Sequence, residues 1–182
     1  MNKDIVCIEG KPDNIDDKFM RFLLEKLKIP LNYVQFKHLA NGKSEIANLK
    51  DTFFPMQIDK GNKVLLLLDY DYEQDPLNQT CASYKKDNII TDYYLIGENL
   101  KLKKQNNLEN LLLSTAKNTN FINCFAQYET CIDKALAEKS KLFAYIDATS
   151  NKHNDINYPE IFDLKHTNFE PLKNFLNSHL ST

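Results

Sequence analysis

Val64-Leu65-Leu66-Leu67-Leu68-Asp69-Tyr70-Asp71 is the stretch whose reading decides the fold. Five consecutive apolar residues end in two carboxylates with one residue between them. A run this short, with Gly61-Asn62 before it and Asp75-Pro76 after it, has the pattern of a strand buried on both faces in a parallel sheet. Its leucine content would also suit a helix; the flanking turn residues favour the strand. In open parallel sheets, ligands sit outside the carboxyl ends of the strands. Asp69 and Asp71 stand at that end, and residues i and i+2 of extended chain share a face. Two carboxylates aimed at one place repel, and one tends to keep its proton. A hard cation resolves the conflict: Mg²⁺ is commonly held by one or two carboxylates with waters or phosphates.

The flanking sequence repeats a strand-then-helix pattern. Ile5-Val6-Cys7-Ile8 is a second short buried strand, ending in Glu9-Gly10. Asp13 or Asn14 caps a helix with Asp16 and Asp17 in its first turn, where the dipole favours acids. Ile15, Phe19, Phe22, Leu23 and Leu27 fall on one face of that helix. Asn32 to Phe36 reads as a strand and His38 to Lys43 as a turn. Ser44 is the expected cap of a helix carrying Ile46, Leu49 and Phe53, which stops before Pro55. A weak helix over Leu77 to Lys86 and a strand over Ile89 to Ile96 follow. This alternation predicts an α/β fold with right-handed crossovers.

Beyond Gly97 lies a polar loop with Lys101, Lys103 and Lys104, then a helix opened by Leu108-Glu109-Asn110-Leu111-Leu112-Leu113. A longer helix carries Phe121, Cys124, Phe125, Tyr128, Ile132, Ala135 and Leu136. Lys141 to Ala148 reads as helix, Thr149 to Pro159 as a polar loop, and Phe169 to His179 as a last helix with Pro171 in its first turn. The expectation is one domain over residues 1–182. A mostly parallel, Rossmann-like four-stranded sheet flanked by helices would occupy about 3–116, with a helical C-terminal extension over about 117–182.

At 182 residues the chain is long enough to bury a core. A net charge of −2 supplies no global basic field for nucleic acid, so such contact would need a local patch. No apolar run approaches a membrane span, and Met-Asn-Lys-Asp with a very short apolar run is not a signal peptide. Cys7, Cys81, Cys124 and Cys131 form no C-x-x-C pair, and none is close in sequence to a histidine. That usage fits a reduced cytoplasm and argues against structural zinc. Cys124 and Cys131, two turns apart on one helix, are expected in the core. His38, His153, His166 and His179 show no ligand spacing and read as surface residues. Tyr70, Tyr72, Tyr93 and Tyr94 read as packing residues. No G-x-G-x-x-G or Walker A sequence is present.

Glu9-Gly10-Lys11-Pro12-Asp13 after one strand and Asp69-Tyr70-Asp71 after a later one resemble the toprim domain. The likeness covers roughly residues 3–116. It is nearest to toprim domains of OLD-type nucleases and of small uncharacterised bacterial toprim-like proteins, whose acidic helix start Leu108-Glu109-Asn110-Leu111-Leu112 resembles. The resemblance implies Mg²⁺ (or Mn²⁺) held by acids and phosphodiester chemistry on nucleic acid, most plausibly hydrolysis. It implies Glu9 in proton transfer or on the metal, Asp69 and Asp71 as metal ligands, and Asp13 as a further acidic position. Glu109, at the start of its helix, is expected to reach the same place and to support a second cation. Lys11 and the Lys101, Lys103 and Lys104 cluster are candidates for substrate phosphates. Where many toprim domains place a glycine after D-x-D, this chain has Tyr72-Glu73-Gln74-Asp75. That departure favours an alternative, a catalytically silent toprim-like module acting through protein partners in a defence or toxin system. A second rival, a D-x-D phosphatase or nucleotide-sugar transferase, fits less well. Phosphatases of that type usually carry the motif after their first strand.

Overall fold

Asp4–Glu9 (β1) pairs in parallel with Val34–Leu39 (β2) on one side and Val64–Asp69 (β3) on the other; β3 pairs in parallel with Asp92–Ile96 (β4). The result is an all-parallel sheet in the order β2-β1-β3-β4, consistent with a Rossmann-like α/β fold. The computed structural model describes residues 3–70, 76–100, 106–150 and 156–180, and only the backbone of Lys43 and Leu77. Asp71, Tyr72, Lys101, Lys103, Lys104 and His153 lie outside the described residues.

Val64 to Leu68 are each at most 1% exposed, as a strand covered on both faces requires. Burying each side chain contributes about 1.5–3 kcal/mol. The two faces alternate along the chain. Val6, Ile8, Leu65 and Leu67 pack with Phe19 and Leu23 of Ile15–Lys26 (α1). Ile5, Cys7, Leu66 and Leu68 pack on the opposite face. Their partners there are Ile46 of Lys43–Leu49 (α2), Phe54 of Phe53–Asp59 (α3) and Cys81 of Pro76–Lys86 (α4). From β1 the chain runs out to β2, then back past β1 to β3. The strand order therefore reverses between β1 and β3, and ligands of open α/β sheets bind at such a reversal.

After β4 come Leu108–Leu113 (α5), Thr119–Ile132 (α6), Glu138–Thr149 (α7), Tyr158–Ile161 (α8) and Glu170–Leu180 (α9). The C-terminal region is built into the body. Leu142, Tyr145, Tyr158, Phe162, Leu172 and Leu176 belong to the same buried cluster as Val6 and Phe19.

Several boundaries differ from the sequence reading. The strand expected over Asn32 to Phe36 starts later and runs through His38 to Leu39, because six consecutive residues find partners on β1. The helix expected to stop before Pro55 is two helices, and Pro55 sits in the first turn of α3, where its missing N–H costs nothing. Asp133 in the left-handed region ends α6, so Ala135 and Leu136 fall in the turn before α7. Of the loop expected over Thr149 to Pro159, Thr149 closes α7 and Pro159 sits in the first turn of α8, while residues 151–155 lie outside the described residues. Cys124 and Cys131 are exposed rather than core, since α6 buries none of its residues; Cys7 and Cys81 are buried, and none of the four is in a disulfide. His38 and His179 are partly buried beside Asp17 and Asp92, not bare surface residues. Among the described residues, no helix is long and apolar enough to cross a membrane.

Candidate functional site

Glu9 and Asp69 end the two strands that flank the reversal point. The Asp69 N–H donates to Glu9 Oε1 at 3.1 Å, which ties the two strand ends together through a side chain. Past β3, Tyr70 exchanges two backbone bonds: its N–H donates to Ile96 O and its carbonyl accepts from the Asn106 N–H. This isolated bridge draws the chain after β4 back across the sheet edge. It delivers the start of α5 to the same place. The Asn107 side chain caps α5 by accepting from the Asn110 N–H at 2.9 Å, and the Leu108 N–H donates to Asp69 Oδ1 at 3.2 Å.

The loop after β1 brings in α1. Gly10 has φ of +98°, and a Cβ there would lie 2.0 Å from Asn14 Nδ2. Only glycine allows the Asn14 side chain to fold back over the loop, and that side chain caps α1 by accepting from the Asp17 N–H at 2.9 Å. Asn14 Nδ2 also donates to Asp16 Oδ2 at 2.8 Å. Asp13 is exposed and left-handed at φ 63°, its N–H donating to Asp17 Oδ2 at 3.0 Å.

Carboxylates from four segments bear on two aspartates here: Glu9, Asp16 and Glu109 act on Asp69, and Glu109 and Glu9 act on Asp16. Burial, followed by the charges of Glu9, Asp16 and Glu109, pushes Asp69 well above the usual carboxylate range, against the opposing Leu108 N–H. Burial, then Glu109 and more weakly Glu9, pushes Asp16 up to about 6, with the Lys139 ammonium acting in the opposite sense. Glu109 is 8% exposed, in the first turn of α5, and acts on both aspartates. The structure thus brings together Glu9, Asp69 and Glu109 of the expected set. Asp13 and Lys11 are exposed on the rim loop.

Three residues escaped the sequence reading. Asp16 looked like a complement to the helix dipole. Yet Asp16 and Asp17 lie about 100° apart around α1, so a doublet in one turn faces two environments. Lys139 of α7 acts on Asp16, and Asp16 in turn acts on the buried Tyr158 hydroxyl of α8. No local signal in the sequence points to them, because their positions depend on how the C-terminal helices dock.

The donors are all carboxylate oxygens, the set that hard cations prefer. Converging acids with raised proton affinity fit such an ion. Among the described residues, no three or more His, Cys, Asp or Glu side chains stand close enough to hold a metal by themselves. No family model, curated protein or solved structure matches the chain.

Proposed function

We propose that this chain carries out Mg²⁺- or Mn²⁺-dependent phosphodiester hydrolysis on nucleic acid, as a toprim-like protein of the OLD-nuclease type. The observation that carries the reading is the meeting of Glu9, Asp69 and the start of α5 at the reversal point of a parallel sheet, where the Asp69 N–H donates to Glu9 and the Leu108 N–H to Asp69, and where burial with the charges of Glu9, Asp16 and Glu109 pushes Asp69 well above its ordinary range. Asp69 and Asp71 would hold the ion, with Asp13 at the rim and Glu109 available for a second one. A bound divalent ion neutralises charge on a phosphoryl oxygen and lowers the pKa of a water. Glu9 is the residue suited to accept that water's proton. It stands at the strand end with Oε1 engaged by the Asp69 N–H, which fixes its carboxylate in orientation. Lys11 on the rim, with Lys101, Lys103 and Lys104, would meet the substrate's phosphates.

The alternative is a toprim-like binding or regulatory module that keeps the acids without turnover. Tyr72-Glu73-Gln74-Asp75 in place of a glycine after D-x-D, and a net charge of −2, favour it. A nicking assay separates the two. With Mn²⁺, the parent should convert supercoiled DNA or cleave an RNA, and Glu9→Gln should abolish this at unchanged thermal stability, because the two side chains are nearly isosteric. A parent inert on both DNA and RNA would leave the binding module as the better reading.

A further inference from the structure

The two edges of the sheet are built differently. β2, at one edge, carries Gln35, Lys37 and His38, and charged side chains on an edge strand discourage a new neighbour from pairing with it. β4, at the other edge, has no charge and no proline from Tyr93 to Ile96. The Ile96 carbonyl accepts from the Tyr70 N–H, so Ile96 turns its backbone toward β3. Backbone groups alternate in direction along a strand, so Tyr94 shares that side, and Tyr93 and Leu95 turn theirs to the open edge. The Tyr93 N–H donates to the neighbouring Asp92 Oδ1 at 2.8 Å. Lys85 of α4 at 2.7 Å and His179 of α9 at 3.1 Å hold the other oxygen of that carboxylate. Among the described residues, the Leu95 N–H and the Tyr93 and Leu95 carbonyls have no hydrogen-bond partner. Leu95 is 3% exposed, and a buried N–H without a partner is rare. A cavity of about 300 Å³ opens beside this strand, lined by Asp92 to Leu95, by Lys85 and by Glu98.

From this edge we infer that β4 pairs antiparallel with β4 of a second copy of the chain, joining two four-stranded sheets edge to edge. A contact between identical surfaces must be complementary to itself, and this one is in two respects. A two-fold axis beside Tyr94 sets Leu95 opposite the partner subunit's Tyr93. Each Leu95 N–H then donates to the partner subunit's Tyr93 carbonyl, and Asp92 keeps its hold on the Tyr93 N–H. The charges fit the same direction. Lys85 and His179 meet Asp92 at the start of β4, and the exposed Glu98 lies two residues past its end. Antiparallel pairing sets Glu98 toward the partner subunit's Lys85, twice over, whereas parallel pairing sets each Glu98 beside its like.

The test is self-association of the full chain. Sedimentation equilibrium over a wide concentration range should show a monomer–dimer equilibrium. Deuterium exchange at the Leu95 amide should slow several-fold as the dimer fills, while the Tyr94 amide, turned toward β3 in both states, should not change. Glu98→Lys sets like charges against each other and should raise the dimer dissociation constant several-fold at an unchanged melting temperature. Glu160→Lys, the same change of charge on the exposed side of α8, should behave as the parent. A chain that stays monomeric at every concentration overturns the inference. So does a dimer whose Leu95 amide exchanges as in the monomer, or one that Glu98→Lys leaves as tight as the parent's. The phosphodiester reading stands or falls separately, on the nicking assay.

Discussion

Asp16 and Asp17 are consecutive residues in one helical turn, both withdrawn from solvent, and their carboxyls are driven in opposite directions. Asp17 is 1% exposed. Burial alone would raise it, but hydrogen bonds from Arg21 Nε at 2.9 Å and from the Asp13 N–H at 3.0 Å, with His38 Nε2 at 3.1 Å, hold it below the ordinary value. Asp16 points about 100° away, toward Glu109 and Glu9, and is pushed up to about 6. The difference separates two uses of a buried acid. Asp17 stabilises the fold by joining α1, the loop after β1 and β2. Asp16 is held where its charge is disfavoured, which is characteristic of sites with chemistry or ligands.

The largest effect expected from breaking this contrast is at Asp17. Removing the acceptor strands Arg21, His38 and the Asp13 N–H around a buried gap. Breaking a buried ionic network from one side costs about 3–5 kcal/mol. Arg21 is partly exposed, so Asp17→Ala should fall at the lower end of that range in urea unfolding at neutral pH. The sign with pH follows from the depressed carboxyl. Its stabilisation is present above the ordinary value of 3.8 and is lost as pH falls through the lower folded value. The parent should therefore lose a component of stability below about pH 4 that Asp17→Ala lacks. A variant as stable as the parent would remove the anchoring role.

Asp16→Asn should act in the opposite direction. The folded carboxyl titrates near 6 rather than 3.8, so the folded state holds the proton more tightly. Stability contributed by that proton is lost as pH rises from about 4 to about 6, and nothing further changes above. Each tenfold difference in proton affinity between folded and unfolded chain is worth about 1.4 kcal/mol, so a rise from 3.8 to about 6 is worth about 3 kcal/mol, which partial solvent screening reduces to about 2 kcal/mol. Asp16→Asn should then be more stable than the parent by about 2 kcal/mol at pH 7.5 and equal to it near pH 3.5. The Asn14 Nδ2 contact survives in the amide, so packing is preserved. A stability difference that does not change with pH would show that Asp16 does not feel its acidic neighbours.

Most of the sheet was readable from local pattern because strands buried on both faces need unbroken apolar runs, and Val64 to Leu68 and Ile5 to Ile8 supply them. The meeting of Glu9 and Asp69 was readable because a parallel sheet sends both strand ends to one edge. Glu109 was expected nearby because β4 sends its exit to the same edge and the helix that Glu109 opens buries an apolar face against the core. Asp16 was ambiguous, since a helix dipole accounts for an acid in the first turn as well as a site does. Lys139 and Tyr158 were not readable at all. Between them and Asp16 lie more than a hundred residues, and their approach depends on which face of the sheet the C-terminal helices cover. The boundaries between α2 and α3 and between α6 and α7 were missed for a related reason. Pro55 reads as a stop and is a start, and the left-handed Asp133 carries no residue type that demands a break.

The smallest effect, and the one that tests the site most directly, is the response to a divalent cation. An ion that binds only the folded chain at ten times its dissociation constant adds about 1.4 kcal/mol, or roughly 3–6 °C in melting temperature for a chain of this size. Mn²⁺ should give the parent such an increment and should not give it to Asp69→Asn/Asp71→Asn. The two neighbours on α1 then sharpen the contrast. Asp17 is committed to Arg21, so Asp17→Asn should lower the starting melting temperature and keep the Mn²⁺ increment. Asp16 adds negative charge to the cleft, so Asp16→Asn should raise the starting value and reduce the increment. Because the ion displaces protons from carboxyls held above their ordinary range, the parent's increment should grow from pH 5.5 to pH 8. Equal increments in the parent and in Asp69→Asn/Asp71→Asn would assign the cation to the general surface. The raised proton affinity of the acids would then reflect burial and mutual repulsion with no ion to relieve it.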